Sequence, residues 1–160
     1  MKKIALFVLM TCMAAGAFGQ KAAKAVYFEL GGPGIASFNY DTRFSKKEDG
    51  FGGRIGFGGW SFDGDGTLLV PMGLNYIIGK DNKHYFELGA GATIVKNFYK
   101  NGNPGYEDDG TFDNTFGHLN FGYRLQPAKG GFFFRAAINP IIGKGVFFPY
   151  YAGIGLGYKF

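Results

Sequence analysis

The feature that most constrains this chain is a two-residue alternation that keeps the charges inside its runs on one side. From Tyr150 to Phe160, the residues Tyr150, Ala152, Ile154, Leu156, Tyr158 and Phe160 fall on one face, and Tyr151, Gly153, Gly155, Gly157 and Lys159 on the other. Successive side chains of a strand point to opposite sides, so one face is apolar and the other small or polar. Seven earlier runs repeat the pattern. Val26, Phe28 and Leu30; Ala36, Phe38, Tyr40 and Phe44; and Phe51, Ile55 and Phe57 share the apolar side. So do Leu68 to Ile78 at even positions, Phe86, Leu88, Ala90 and Ile94, then Leu119 to Leu125 at odd positions, then Phe132, Phe134, Ala136 and Ile138. The opposite side collects Glu29, Asn39, Asp41, Arg43, Arg54, Asn75, Glu87, His118, Asn120, Arg124, Arg135 and Asn139. Charge at a lipid midplane costs roughly 2–4 kcal/mol, and this segregation avoids that cost throughout. It predicts an all-β, eight-stranded antiparallel up-and-down transmembrane barrel. In a soluble sandwich the aromatic residues would instead gather mid-strand.

Turn chemistry separates the runs. The first spans about Ala25 to Gly31 and ends at Gly32, Pro33 and Gly34; the second is Ile35 to Phe44, before the polar turn Ser45 to Gly50. Phe51 to Trp60 is the third, and the turn Asp63 to Gly66 leads to the fourth, Thr67 to Ile78. The fifth is His84 to Lys96, the sixth Thr115 to Leu125, the seventh Phe132 to Ile142 and the eighth Tyr150 to Phe160. If both chain termini are periplasmic, the even connections must be short, and Ser45–Gly50, Gly79–Lys83 and Gln126–Gly131 are. The long polar stretch Asn97 to Asn114 is then extracellular, as such barrels require. Phe44, Phe51, Tyr123, Phe132, Tyr158 and Phe160 would mark one membrane interface. Trp60, Phe62, Phe98, Phe116, Phe147, Phe148 and Tyr150 would mark the other.

The start of the chain reads as a secretory signal over residues 1–19, leaving 20–160 as the barrel domain. Lys2 and Lys3 precede the apolar Ile4 to Met10, and Ala17, Phe18 and Gly19 offer a small-x-small cleavage site. The apolar stretch is too short to span a bilayer as a helix. Cys12, the single cysteine, lies inside this segment, so the mature chain would hold no disulfide or thiol nucleophile. Leu9 to Cys12 loosely matches a lipobox, which would instead leave Cys12 acylated, but Thr11 fits that pattern poorly.

Composition narrows the function classes. Mean hydropathy of −0.03 suits a barrel, in which only alternate residues meet lipid. The net charge of +5 falls to +3 without Lys2 and Lys3, since 17 basic residues become 15 against 12 acidic ones. That is too little and too scattered for nucleic acid. Glu29, Asp41, Arg43, Arg54, Glu87, His118, Arg124 and Arg135 form the candidate site. A barrel of eight strands is only wide enough for side chains to fill, and buried charges persist only when paired. A salt-bridged plug is the expected outcome, and a narrow ion path is the alternative. His118 could lean on Glu87 or Asp41 as a base, but no serine is placed to complete a nucleophilic arrangement. Glu107, Asp108, Asp109 and Asp113, or Asp63 and Asp65, lack the regular spacing of a calcium loop. The glycine runs at 31–34 and 52–56 do not precede helices and read as turns or strand glycines. No catalytic, cofactor-binding or metal-binding residue is assigned, and no cofactor is expected.

The alternating Tyr150 to Phe160 with its terminal Phe resembles the last strand that the barrel-assembly machinery recognises in outer-membrane proteins, which would make Tyr158 and Phe160 an assembly signal. With the signal segment, the eight runs and the charged inner face, the chain resembles small OmpA/OmpX-type barrels along its mature length. The segment Glu29 to Gly34, continued by Ser37, Asn39 and Tyr40, also resembles the opening of small barrels of unassigned role. The resemblance implies a bacterial outer-membrane monomer whose partners are membrane lipid, lipopolysaccharide and the assembly machinery. Its work would be structural, or interactive through outer loops. An outer-leaflet lipid-modifying enzyme is the second reading. The short first loop departs from the OmpX pattern, which weakens a shared adhesive role, and no wall-binding domain follows the barrel.

Overall fold

A computed structural model describes residues 22–62, 65–98, 115–143 and 145–160. The expected signal segment with Cys12, the acidic cluster at 107–113 and Asp63 lie outside these residues. Ten strands form one sheet: β1 (Lys24–Gly31), β2 (Ala36–Arg43), β3 (Gly50–Phe62), β4 (Asp65–Ile78), β5 (His84–Phe98), β6 (Phe116–Leu125), β7 (Gly131–Ile138), β8 (Ile141–Gly143), β9 (Val146–Phe148) and β10 (Ala152–Lys159). Neighbours run β5-β4-β3-β2-β1-β10-β7-β6, and β6 pairs again with β5. The sheet therefore closes into a barrel of eight antiparallel strands, with β8 and β9 as a small extension. Closure removes the unpaired edges that an open sheet would present.

The register keeps the expected faces around the whole wall. Leu156 sits opposite Phe28 on one side and Phe134 on the other, and Phe28 lies opposite Phe38, which lies opposite Phe57. These side chains point outward; Phe38 is 71% exposed and Phe57 62%. The residues with no exposure at all include Glu29, Glu87, Arg124 and Arg135. A soluble protein buries its rings and exposes its charges, whereas this wall does the reverse. Its outward apolar rows suit hydrocarbon, because a closed sheet pairs the backbone groups of each strand with those of its neighbours.

Several boundaries differ from the expected runs: β5 continues to Phe98, two residues into the expected long connection, and β10 starts only at Ala152, leaving Tyr150 and Tyr151 before the strand. The hairpin after β3 is longer, with Ser61 opposite Gly66 and Phe62 opposite Asp65, so Asp65 and Gly66 belong to a strand and not to the turn. The seventh run breaks at Asn139 and Pro140, since proline has no N–H to donate to the ladder. Its carbonyl still accepts from the Leu119 N–H at 2.9 Å, and the Asn139 N–H donates to Tyr151 at 2.5 Å. The first connection is also no open loop. Gly32–Gly34 make a buried 3₁₀ turn, held by a Gly31 N–H bond to the Ile35 carbonyl at 2.6 Å. Ile35 takes φ +60°, a strained value for a branched residue, so the second strand starts at Ala36.

At one end the short turns are bonded to each other. Gln126 N–H donates to the Lys83 carbonyl at 2.8 Å and Ala128 N–H to the Asn82 carbonyl at 3.0 Å. The Gln126 amide also donates to the Glu48 carbonyl at 3.1 Å, which reaches the turn between β2 and β3. Lys24 and Phe160 exchange backbone bonds at the same end.

Candidate functional site

The inward faces of β1, β2, β3, β5, β6 and β7 each supply at least one charge to the lumen, and these join into one alternating chain. Arg43 Nη2 lies 2.6 Å from Asp41, Asp41 lies 2.9 Å from Arg124 Nη1, and Arg124 Nε lies 2.7 Å from Glu87. Glu87 lies 3.2 Å from Arg135 Nε; Arg135 pairs with Glu29 through Nη1; and Glu29 lies 3.2 Å from Arg54. Seven groups of alternating sign are thus linked by six ion pairs across the barrel. The strands involved are far apart in sequence, so only closure can assemble this chain.

Neutral polar groups fill the remaining valences. The Asn75 amide donates to Asp41 at 2.6 Å while its oxygen accepts from Arg43 at 2.5 Å. The Asn120 amide donates to Glu87 at 2.8 Å, and its oxygen accepts from Arg135. Glu87 therefore accepts from two guanidiniums and two asparagines, Asn120 and, more weakly, Asn75, and Asp41 takes both Nη groups of Arg124 at 2.9 and 3.0 Å. Such forks match the planar guanidinium to a carboxylate and offset the large cost of removing charge from water. Phe133, fully buried, stacks on Tyr27 at 4.9 Å, and the Arg124 guanidinium lies 5.1 Å over its ring. The alternation marks both rings as inward, but nothing local to either residue signals that they meet.

Glycines on the inner wall make this packing possible. A Cβ at Gly122 would come within 2.6 Å of the Ala137 Cβ, and one at Gly155 within 2.9 Å of the Tyr27 ring. One at Gly52 would overlap the Arg43 guanidinium. The buried Gly-Pro-Gly turn folds in over the same network, where a Cβ on Gly32 would stand 2.8 Å from the Glu29 carboxyl carbon.

Of the eight candidate residues, seven form the ion-pair chain and His118 stands apart from it. His118 is buried and its Nδ1 faces Thr93 Oγ1 at a weak 3.4 Å; it bonds neither Glu87 nor Asp41. Arg54 holds Glu29 through Nη2 and leaves its Nε without a partner among the described residues. Tyr158 and Phe160 lie outward, 57% and 54% exposed. Sequence reading missed Glu48. It sits in a polar turn, yet it pairs with Lys159 at 2.8 Å and so ties β10 to the turn between β2 and β3, past β1. Among the described residues no group of three or more His, Cys or acidic side chains could hold a metal.

The chain resembles solved barrels in shape. The N-terminal β-barrel domain of Pseudomonas aeruginosa OprF matches over 89% of this chain and all of its own, with a TM-score of 0.56 and 13% identity. The Yersinia pestis outer-membrane protein Ail, in a phospholipid nanodisc, matches over 88% of this chain and 99% of its own, with a TM-score of 0.55 and 13% identity. The fold is that of a small OmpA/OmpX-type outer-membrane barrel. No family profile matches the chain, and no curated protein matches it. At such identities the likeness carries the architecture and no activity.

Proposed function

We propose that this protein is a sealed outer-membrane β-barrel whose role is structural or lies in surface interaction through its outer connections, chiefly residues 99–115 between β5 and β6. The observation that carries the reading is the unbroken Arg43–Asp41–Arg124–Glu87–Arg135–Glu29–Arg54 chain across a lumen whose inner glycines are already occupied by neighbouring side chains. A permeation path would need mobile or hydrated charge, whereas six of these seven side chains are 2% exposed or less and Arg54 7%. Under this reading the turn-sealed end faces the periplasm and the long connection faces outward. Residues 1–19 serve as the cleaved export signal, and Tyr158 and Phe160 as the signal to the assembly machinery. The barrel works as a monomer in lipid and lipopolysaccharide and carries no catalysis of its own.

Planar-bilayer recording of the purified, refolded protein tests the sealed lumen. Silent membranes are expected at loadings where gel mobility shows folded barrel; steady single-channel openings would reject it. Comparison of lipid A from wild-type and deletion cells by mass spectrometry tests the absence of catalysis, with identical profiles expected.

A further inference from the structure

The end sealed by short turns is basic in a way that the interior network does not explain. Its three turns and β10 are bonded into one plate, through Gln126 to Lys83, Ala128 to Asn82 and Gln126 to Glu48. The plate's Glu48 is committed to Lys159 at 2.8 Å. Asp81 is also committed, its carboxylate accepting the backbone N–H groups of His84 at 2.7 Å and Lys83 at 3.1 Å. Lys46, Lys47, Lys80, Lys83 and Lys129 remain exposed, and none forms an ion pair among the described residues. Asp49 is the one further acid in these turns. The lysines stand directly beyond an outward ring of Phe44, Phe51, Tyr76, Phe132 and Tyr158, each at least 39% exposed. Aromatic rings of this kind settle at headgroup depth, which places the ammonium groups at the phosphates.

We infer that this end of the barrel binds anionic phospholipid, with Lys46, Lys47, Lys80, Lys83 and Lys129 as the headgroup-phosphate ligands and the aromatic ring as the acyl-side contact. A basic cluster beside a membrane surface attracts anionic headgroups and loses that attraction with salt. Because the turns are cross-bonded, the lysines sit on a fixed frame, which limits the ordering cost of gathering several around one lipid. The inference rests on the reading of the wall as lipid-facing.

The test is electron spin resonance of the full mature barrel in phosphatidylcholine vesicles, with spin-labelled phosphatidylglycerol or spin-labelled phosphatidylcholine as the probe. A motionally restricted phosphatidylcholine shell reports the lipid-facing wall by itself, so its absence would reject that reading separately. The inference expects phosphatidylglycerol to associate about threefold or more better than phosphatidylcholine at low salt, with the preference shrinking in molar salt. It also expects the variant K46Q/K47Q/K80Q/K83Q/K129Q to lose the preference while keeping folded-barrel mobility, and Lys96→Gln at the opposite end to keep it. Equal association of the two lipids with the wild-type protein, or a preference that survives in the quintuple variant, would overturn it.

Discussion

Replacing Glu87 by Gln removes one negative charge from the centre of the barrel while keeping the side chain's shape. Glu87 is fully buried and accepts from Arg124 Nε at 2.7 Å, Arg135 Nε at 3.2 Å, Asn120 at 2.8 Å and Asn75 at 3.4 Å. The ion-pair chain holds four arginines against three carboxylates, a sum of +1, and the substitution raises it to +2. One of the two carboxylate oxygens becomes an NH₂ that faces guanidinium donors, so a charge-assisted bond is lost and a donor meets a donor. Breaking one partner of a buried pair costs about 3–5 kcal/mol, because the remaining charge stays desolvated. A loss of this size moves the unfolding equilibrium by roughly two to three and a half powers of ten. Equilibrium urea unfolding in phosphatidylcholine vesicles can follow it through Trp60, the single tryptophan, which is 53% exposed on the outer wall and leaves lipid for water on unfolding. Adding Arg135→Gln returns the sum to +1 and should recover part of the loss. A penalty for Glu87→Gln below about 1 kcal/mol, the value of a solvated surface pair, would refute the dry, interlocked lumen.

Gly122→Val places a branched side chain against the Ala137 Cβ and should cost about 1–3 kcal/mol in the same unfolding assay, as overpacking does. Leu156→Lys puts a charge on the outer wall between Phe28 and Phe134, with an expected loss of about 2–4 kcal/mol if that wall meets lipid near its midplane; Leu156→Met is expected to be close to neutral. The Asp81 carboxyl is held below the ordinary aspartate range, chiefly by the His84 backbone N–H and then by that of Lys83. A carboxyl lowered in the folded state stabilises the turn above the unfolded value and loses that contribution as pH falls through the folded one. NMR titration of Asp81 should therefore show a midpoint below that of an unstructured aspartate, and Asp81→Asn should flatten the acid dependence of Lys83 and His84 amide exchange.

Much of the wall was legible because strand alternation is a local signal. Each inward charge, from Glu29 in β1 to Arg135 in β7, could be assigned a face from its own neighbours, and a facing needs no knowledge of the partner. What crosses the lumen was not legible. Glu48 in its polar turn has the same local signature as a solvated acid, and nothing around it announces Lys159 more than a hundred residues later. The Gly-Pro-Gly segment likewise reads as an external turn. Its burial follows from the room left by the glycines of the facing wall, near Ser37 and Pro71, which only the closed circuit brings together. The break at Pro140 lay in the chemistry of proline but was masked by apolar residues on either side. His118 reads as a lumen residue able to reach an acid, yet the register sets it opposite Gly91, with Thr93 and not Glu87 within reach.

The most direct measurement is solid-state NMR magnetisation transfer in the unsubstituted barrel in lipid vesicles, reading residues 152–159 for transfer from lipid acyl protons and from water. Residues 152, 154, 156 and 158 should receive transfer from the acyl protons, and residues 153, 155, 157 and 159 little from either source, because they face a filled interior. Water transfer at 153, 155 and 157 would contradict the filled lumen, and loss of the two-residue period would contradict the barrel itself.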